Sequence, residues 1–190
     1  MVDMIEEKKL DSLRSKIDQI DDKLLGLLNQ RVLITQQVGD LKRGTDGSKV
    51  EYYRPDREAS ILRRLTIDNN GPVTNKDLIR LMREIISVCL SHEKVMKVAY
   101  LGPKGTFTHG ALREHFGSSV DSLPCDEISQ VFRFVEEERS DYGVVPIENS
   151  SGGSVNQTLD SLVISSAKII SEVTIPIRHQ LLSKSDEIAE

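Results

Sequence analysis

Apolar residues recur at alternating steps of three and four along the first stretch of the chain: Leu10, Leu13, Ile17, Ile20, Leu24 and Leu27, then Ile34, Val38 and Leu41. That spacing marks the seam of a helix packed lengthwise against other helices, and it predicts one helix over about 6–43. Between Leu27 and Ile34 the pattern asks for an apolar side chain, and the sequence has Arg31. A guanidinium on a covered seam is costly unless something anionic meets it. The long helix therefore carries a candidate anion site. Lys42 follows Arg31 by eleven residues, about three turns, and points the same way. Arg14 precedes Arg31 by seventeen residues and is turned roughly 100° off that face. One helix cannot easily aim all three cations at one ligand, whereas two copies can, with Arg14 crossing from the partner. The plainer reading makes Arg14 and Lys42 solvated flank residues, as most such residues are.

Gly44-Thr45-Asp46-Gly47-Ser48 is a turn-rich break. Pro55 suits the first turn of a second helix running to about Asn70, with Ile61, Leu62 and Leu65 as its stripe and Arg57 and Glu58 near its start. Thr74 is a good cap for a third helix to about Lys94, with Leu78, Leu81, Met82, Ile85, Ile86 and Leu90 facing inward. Cys89 and Glu93 continue that face at four-residue steps. Glu93 is then either a wet residue at the helix end or a half-buried carboxyl whose proton is held by desolvation. At ~1.5 Å per residue the three helices span ~57, ~24 and ~30 Å. The second and third barely cover one side of the first, so the rest of its seam needs a partner. The expected partner is a second copy, in an intertwined homodimer.

Past Val95 the texture changes. Lys97 to Gly102 reads as a strand, followed by the turn Gly102-Pro103-Lys104-Gly105-Thr106-Phe107-Thr108 and a helix through Leu112 and Phe116. A strand, a glycine-rich turn and a helix can hold an anion on backbone N–H groups, although this turn matches neither the phosphate-loop nor the dinucleotide pattern. A helix from Ile128 to about Arg139 leads to a strand over Tyr142–Ile147, then Glu148-Asn149-Ser150-Ser151-Gly152-Gly153-Ser154 and a helix over Val155–Val163. Polar residues just past a strand's C-terminal end are where α/β folds bind ligands. Lys168 to Ile175 reads as one more strand.

Composition narrows the partners. At 190 residues the chain suits one or two domains with a real core. A net charge of −5 argues against nucleic acid or anionic membranes. The sequence contains neither a run of 18 apolar residues nor a charged-then-apolar leader. Two cysteines, Cys89 and Cys125, lack metal spacing and read as free thiols in a reducing cytoplasm.

Two families are recognisable in these motifs. Residues 6–95 resemble the all-helical class of chorismate mutase through Leu13-Arg14-x-x-Ile17-Asp18, Leu28-Asn29-Gln30-Arg31, Val38-Gly39-x-x-Lys42, Arg54-Pro55-Asp56-Arg57-Glu58 and Arg83-Glu84-Ile85-Ile86-Ser87. Residues 97–183 resemble the beginning of prephenate dehydratase through Gly102-Pro103-x-Gly105-Thr106-Phe107 and Gly143-Val144-Val145-Pro146-Ile147-Glu148-Asn149-Ser150. The order is that of the bifunctional enzymes of phenylalanine biosynthesis. The resemblance implies a three-helix intertwined-dimer domain over 1–95. Over 96–190 it implies the first part of a bilobed, periplasmic-binding-like α/β domain. The family's downstream Thr-Arg-Phe motif and its C-terminal regulatory domain are not in the sequence, so an N-terminal fragment with an incomplete, inactive dehydratase is expected.

Chorismate is a small dicarboxylate, and its rearrangement to prephenate is pericyclic, with no need of nucleophile, metal or cofactor. Holding a compact conformer and stabilising charge on the breaking ether oxygen suffice. By resemblance, Arg14 of the partner chain and Arg31 clamp the carboxylates, where a fork-shaped donor suits them. Lys42 reaches a carboxylate and the ether oxygen, Glu58 accepts from the substrate hydroxyl, and Arg57 supports the site. Three positions depart from one well-known version of the family pattern. Arg54 stands for an Asp whose contact is thought to come from the backbone, Cys89 for a Ser, and Glu93 for a Gln. The last change has mechanistic content: a carboxylate beside a developing oxyanion repels it, whereas a carboxylic acid donates to it. The rate is therefore expected to fall as pH rises through the Glu93 titration. Thr106, Thr108, Glu148, Asn149 and Ser150 would line a prephenate cleft, or serve only as turn and capping groups. Two other readings stay open: a non-catalytic dicarboxylate-binding module dimerised by its helical half, and a structural coiled coil.

Overall fold

The computed structural model describes residues 2–44 and 52–178. The expected break over 45–48 and the segment 179–183 lie outside the described residues. The chain divides into two compact units, one of residues 1–97 with 116–121, the other of residues 98–115 and 122–190.

The first unit is helical: α1 (Val2–Gly44), α2 (Pro55–Asp68) and α3 (Asn75–Ser91). Local chemistry sets each boundary. Pro55 opens α2, and the Arg54 carbonyl accepts the Glu58 N–H at 3.0 Å. The Asn69 amide donates to the Val73 carbonyl at 2.8 Å, while its side-chain oxygen accepts from Gly71 N, shaping the turn into α3. The Thr74 hydroxyl oxygen then caps α3 by accepting from Asp77 N at 3.1 Å. Helix α3 packs against both α1 and α2. Tyr53, Leu62, Ile86, Cys89, Met96 and Phe116 are buried. The stripe on α1 is left open by the described residues: Leu13, Ile17, Ile20 and Leu24 are about half exposed. Leu81 of α3, expected to face inward, is exposed as well. Helix α3 stops at Ser91, so Glu93 lies in the turn beyond it rather than on the helix.

The second unit is built on a three-stranded sheet of β1 (Lys97–Leu101), β2 (Asp121–Cys125) and β3 (Tyr142–Val144), in the order β2-β1-β3. Strand β1 pairs in parallel with β3, with Val98 opposite Tyr142 and Tyr100 opposite Val144. Its Val98, Ala99 and Tyr100 are fully buried, as a central strand requires. Helices α4 (Phe107–Phe116), α5 (Ile128–Glu136) and α6 (Asn156–Ile164) complete it. Val131 of α5 packs so close to Gly143 that a Cβ there would sit 2.7 Å from Val131 Cγ1. The strand expected over 142–147 ends at Val144, and Glu148–Asn149 (β4) instead forms a small antiparallel hairpin with Gly153–Ser154 (β5). Residues 168–175 are not a strand: their β-branched composition is right, but no neighbouring strand pairs with them among the described residues. Strand β2 was not expected, since Pro124 and the polar Asp121 and Ser122 hide it. A proline is tolerated on the edge of a sheet, where β2 lies.

Candidate active site

The helical unit brings together residues far apart in sequence at the C-terminal end of α1. Lys42 Nζ lies 3.5 Å from Glu93 Oε2 and donates to the Tyr52 carbonyl at 3.4 Å. The Glu93 side chain is only 3% exposed, whereas Lys42 keeps 30% of its surface. Gly39 makes room for that carboxyl, since a Cβ there would come within 3.1 Å of Glu93 Cγ. Arg43 Nη1 donates to the Glu93 carbonyl at 3.4 Å and pairs through Nη2 with Asp40. Desolvating that carboxyl is costly, and the facing ammonium offsets part of the cost.

Glu58, in the first turn of α2, is 12% exposed and lies 3.6 Å from the Nε of Arg83 on α3. Burial pushes the Glu58 carboxyl above its ordinary value, with the Arg83 guanidinium pulling it back down. The pairing of Arg83 with Glu58 is not read from the sequence motifs. The signal was present, because Arg83 falls four residues after Ile79 and three before Ile86, a cation among apolar positions as Arg31 is. Cys89 is buried on α3. Arg54 turns its guanidinium to Asp56, with bonds of 3.0 and 2.8 Å, and so holds the Asp56 carboxyl below its usual value. Arg57 is exposed.

The other two cations stand apart. Arg31 is half-buried in a shallow groove lined by Leu27, Gln30, Ile34 and Thr35. Arg14 is exposed and pairs with Asp11 at 3.3 Å. Twenty-eight residues of helix separate Arg14 from Lys42, ~42 Å at ~1.5 Å per residue. No single copy of α1 can aim both at one small ligand.

In the second unit the expected cleft residues serve their own backbone. Thr106 Oγ1 donates to the Leu101 carbonyl at 3.3 Å and accepts from His109 N at 3.4 Å, which fixes the start of α4. His109, buried against the Tyr100 ring, accepts the Gly105 N–H on Nδ1 at 3.2 Å. Asn149 accepts from Ser151 N at 3.1 Å and from Gly152 N, closing the β4–β5 turn. Glu148, Asn149 and Ser150 are exposed, and Thr108 is partly so.

Comparison with known proteins gives this arrangement its family. Residues 13–94 match the model of chorismate mutase type II, and residues 98–190 match that of prephenate dehydratase. The chain is 44% identical, over 97% of its length and 52% of the relative's, to a bifunctional chorismate mutase/prephenate dehydratase from Pseudomonas aeruginosa. It is 45% identical to one from Aquifex aeolicus, over 95% of this chain and 50% of that one. Among solved structures it is similar to form II chorismate mutase from Thermus thermophilus, with a TM-score of 0.43 and 29% identity, over 45% of this chain and 94% of that one. The architecture is thus a helical chorismate mutase domain followed by an α/β prephenate dehydratase domain matched in its first part. The chain belongs to the bifunctional chorismate mutase/prephenate dehydratase family, and it spans about half the length of the curated relatives it matches. Among the described residues no helix is long and apolar enough to cross a membrane.

Proposed function

We propose that the helical unit converts chorismate to prephenate by a Claisen-type rearrangement, as a homodimer in which each site takes Arg14 from the partner chain. One observation carries this reading: Lys42 and Glu93, 51 residues apart in sequence, meet at 3.5 Å with the carboxyl buried. The family match supports it, since the relatives are named for this activity.

The reaction breaks an ether C–O bond and forms a C–C bond within one molecule, so no group needs to attack or leave. Arg31 and the partner's Arg14 grip the two carboxylates and hold the compact conformer. The Lys42 ammonium meets the negative charge growing on the ether oxygen, with the Glu93 side chain beside it. The Glu58 carboxylate accepts from the substrate hydroxyl. Arg54 contributes through its backbone, and Cys89 packs beside the site. The exposed stripe of Leu13, Ile17, Ile20 and Leu24 is the face on which the second copy lies, and burying it drives the pairing. No cofactor or metal takes part. In the second unit, Thr106, Thr108, Glu148, Asn149 and Ser150 are the candidates for holding prephenate.

Loss of the chorismate ultraviolet absorbance, with phenylpyruvate assayed at the end, tests the activity. Arg31→Leu should abolish turnover while the melting temperature stays level or rises, since an apolar residue then fills the seam. Wild-type turnover retained in Arg31→Leu would sink the reading.

A further inference from the structure

Lys42 is held by a segment that is itself held from elsewhere. Its ammonium donates to the Tyr52 carbonyl and lies 5.8 Å from the centre of the Tyr52 ring. The next residue, Tyr53, is buried with its ring 5.4 Å from that of Phe116. Phe116 opens the stretch 116–121, which belongs to the helical unit although more than twenty residues part it from the end of α3.

That stretch is fixed at several points. Gly117 has φ +75°, and a Cβ on it would sit 2.5 Å from Ser87 Cβ, so the backbone touches α3 directly. The Glu84 carboxylate accepts from Ser118 N at 3.1 Å and from its hydroxyl at 2.6 Å. The Ser87 hydroxyl oxygen accepts from Ser119 N at 3.1 Å, and the Met96 carbonyl from Asp121 N at 2.9 Å. The Phe116 contact is therefore tied to α3 on one side and to the Tyr52–Tyr53 backbone on the other.

We propose that Phe116 is a positioning residue for Lys42, acting through the Tyr53 ring and the Tyr52 carbonyl. It touches no substrate. Its effect is to keep the ammonium at the place where ether-oxygen charge develops, a placement on which rate depends steeply. Gly117 serves the same end by letting the strap lie against Ser87. The inference rests on the chorismate mutase reading for its kinetic consequence, but not for its geometric one.

Three variants of the whole chain test it: Phe116→Ala, Phe116→Leu and Gly117→Ala, assayed well below their melting temperatures. Phe116→Ala and Gly117→Ala should each lower kcat about tenfold with KM nearly unchanged, and Phe116→Leu should recover most of the loss. Lys42 should also be acetylated several-fold faster in Phe116→Ala than in wild type, measured by mass spectrometry against the exposed Lys76. A wild-type kcat in Phe116→Ala, or Lys42 labelling that does not move, overturns the proposal even if the melting temperature falls. If the wild-type chain leaves chorismate untouched, the functional reading fails, and the labelling ratio alone decides for or against the positioning role.

Discussion

The two units treat their polar residues in opposite ways. In the helical unit, Glu93 and Glu58 are buried and meet cations from other parts of the chain, Lys42 and Arg83. In the α/β unit, Thr106 and Asn149 meet backbone groups within a few residues of themselves. A local partner is what any turn or helix start supplies, and it needs no ligand to explain it. A buried charge with a distant partner is different, because desolvation makes it costly and simple packing would do without it. For these carboxyls, a paired cation far away in sequence therefore marks candidate chemistry rather than local architecture.

The contrast can be broken most sharply at Lys42. Lys42→Ala should lower the chorismate turnover rate by ~10²–10³, as removal of one oxyanion donor does elsewhere. Asn149→Ala, assayed beside it, should leave that rate unchanged. A loss of less than tenfold in Lys42→Ala would place the ammonium in a structural role.

Next in size is the dependence on a second copy. Arg14→Ala and Lys42→Ala should each be nearly inactive. Unfolded together in equal amounts and refolded, they should recover about a quarter of wild-type activity, since half the dimers then hold one intact site. No recovery on mixing would mean that Arg14 does not cross to a partner's site.

Glu58 gives an acid limb. Its carboxyl sits above its ordinary value through burial, and the ionised form is the stronger acceptor from a hydroxyl. Turnover should fall as pH drops through that raised value, at a higher pH than an ordinary glutamate would give. Glu58→Gln should remove that limb from the kcat profile. The stability effect runs the other way: the folded chain binds this proton before the unfolded one does. Its contribution therefore favours the fold at acid pH and fades as pH rises through the folded value.

Smallest is Gly143→Ala. The added methyl meets Val131 Cγ1, and the overlap should cost ~1–3 kcal/mol in the stability of the α/β unit. Mutase turnover should not change. Urea unfolding followed on each unit separately would show whether the loss stays in that unit.

The helices of the first unit were legible because each has a periodic stripe, and α2 and α3 also have recognisable starts, Pro55 in α2 and Thr74 before α3. Glu93 was legible as a buried candidate but for a partly wrong reason. Four-residue steps carried the helix through it, whereas it lies in the turn after α3 and is buried because Gly39 leaves space on α1. Tyr52 gave no sequence signal, since its part is played by a backbone carbonyl. Strand pairing was read least well. Residues 168–175 have the side chains of a strand but no neighbouring strand among the described residues, and β2 has a neighbour despite its proline. Pairing depends on what lies alongside, which periodicity within one segment does not record.

The most direct measurement follows chorismate absorbance for the wild-type chain, Glu93→Gln and Glu93→Ala side by side. Wild type should consume chorismate, Glu93→Gln should keep that rate because its amide can both hold the Lys42 ammonium and donate to the ether oxygen, and Glu93→Ala should lose most of it. Equal rates in all three would remove Glu93 from the chemistry, and no loss of chorismate would contradict the mutase assignment itself.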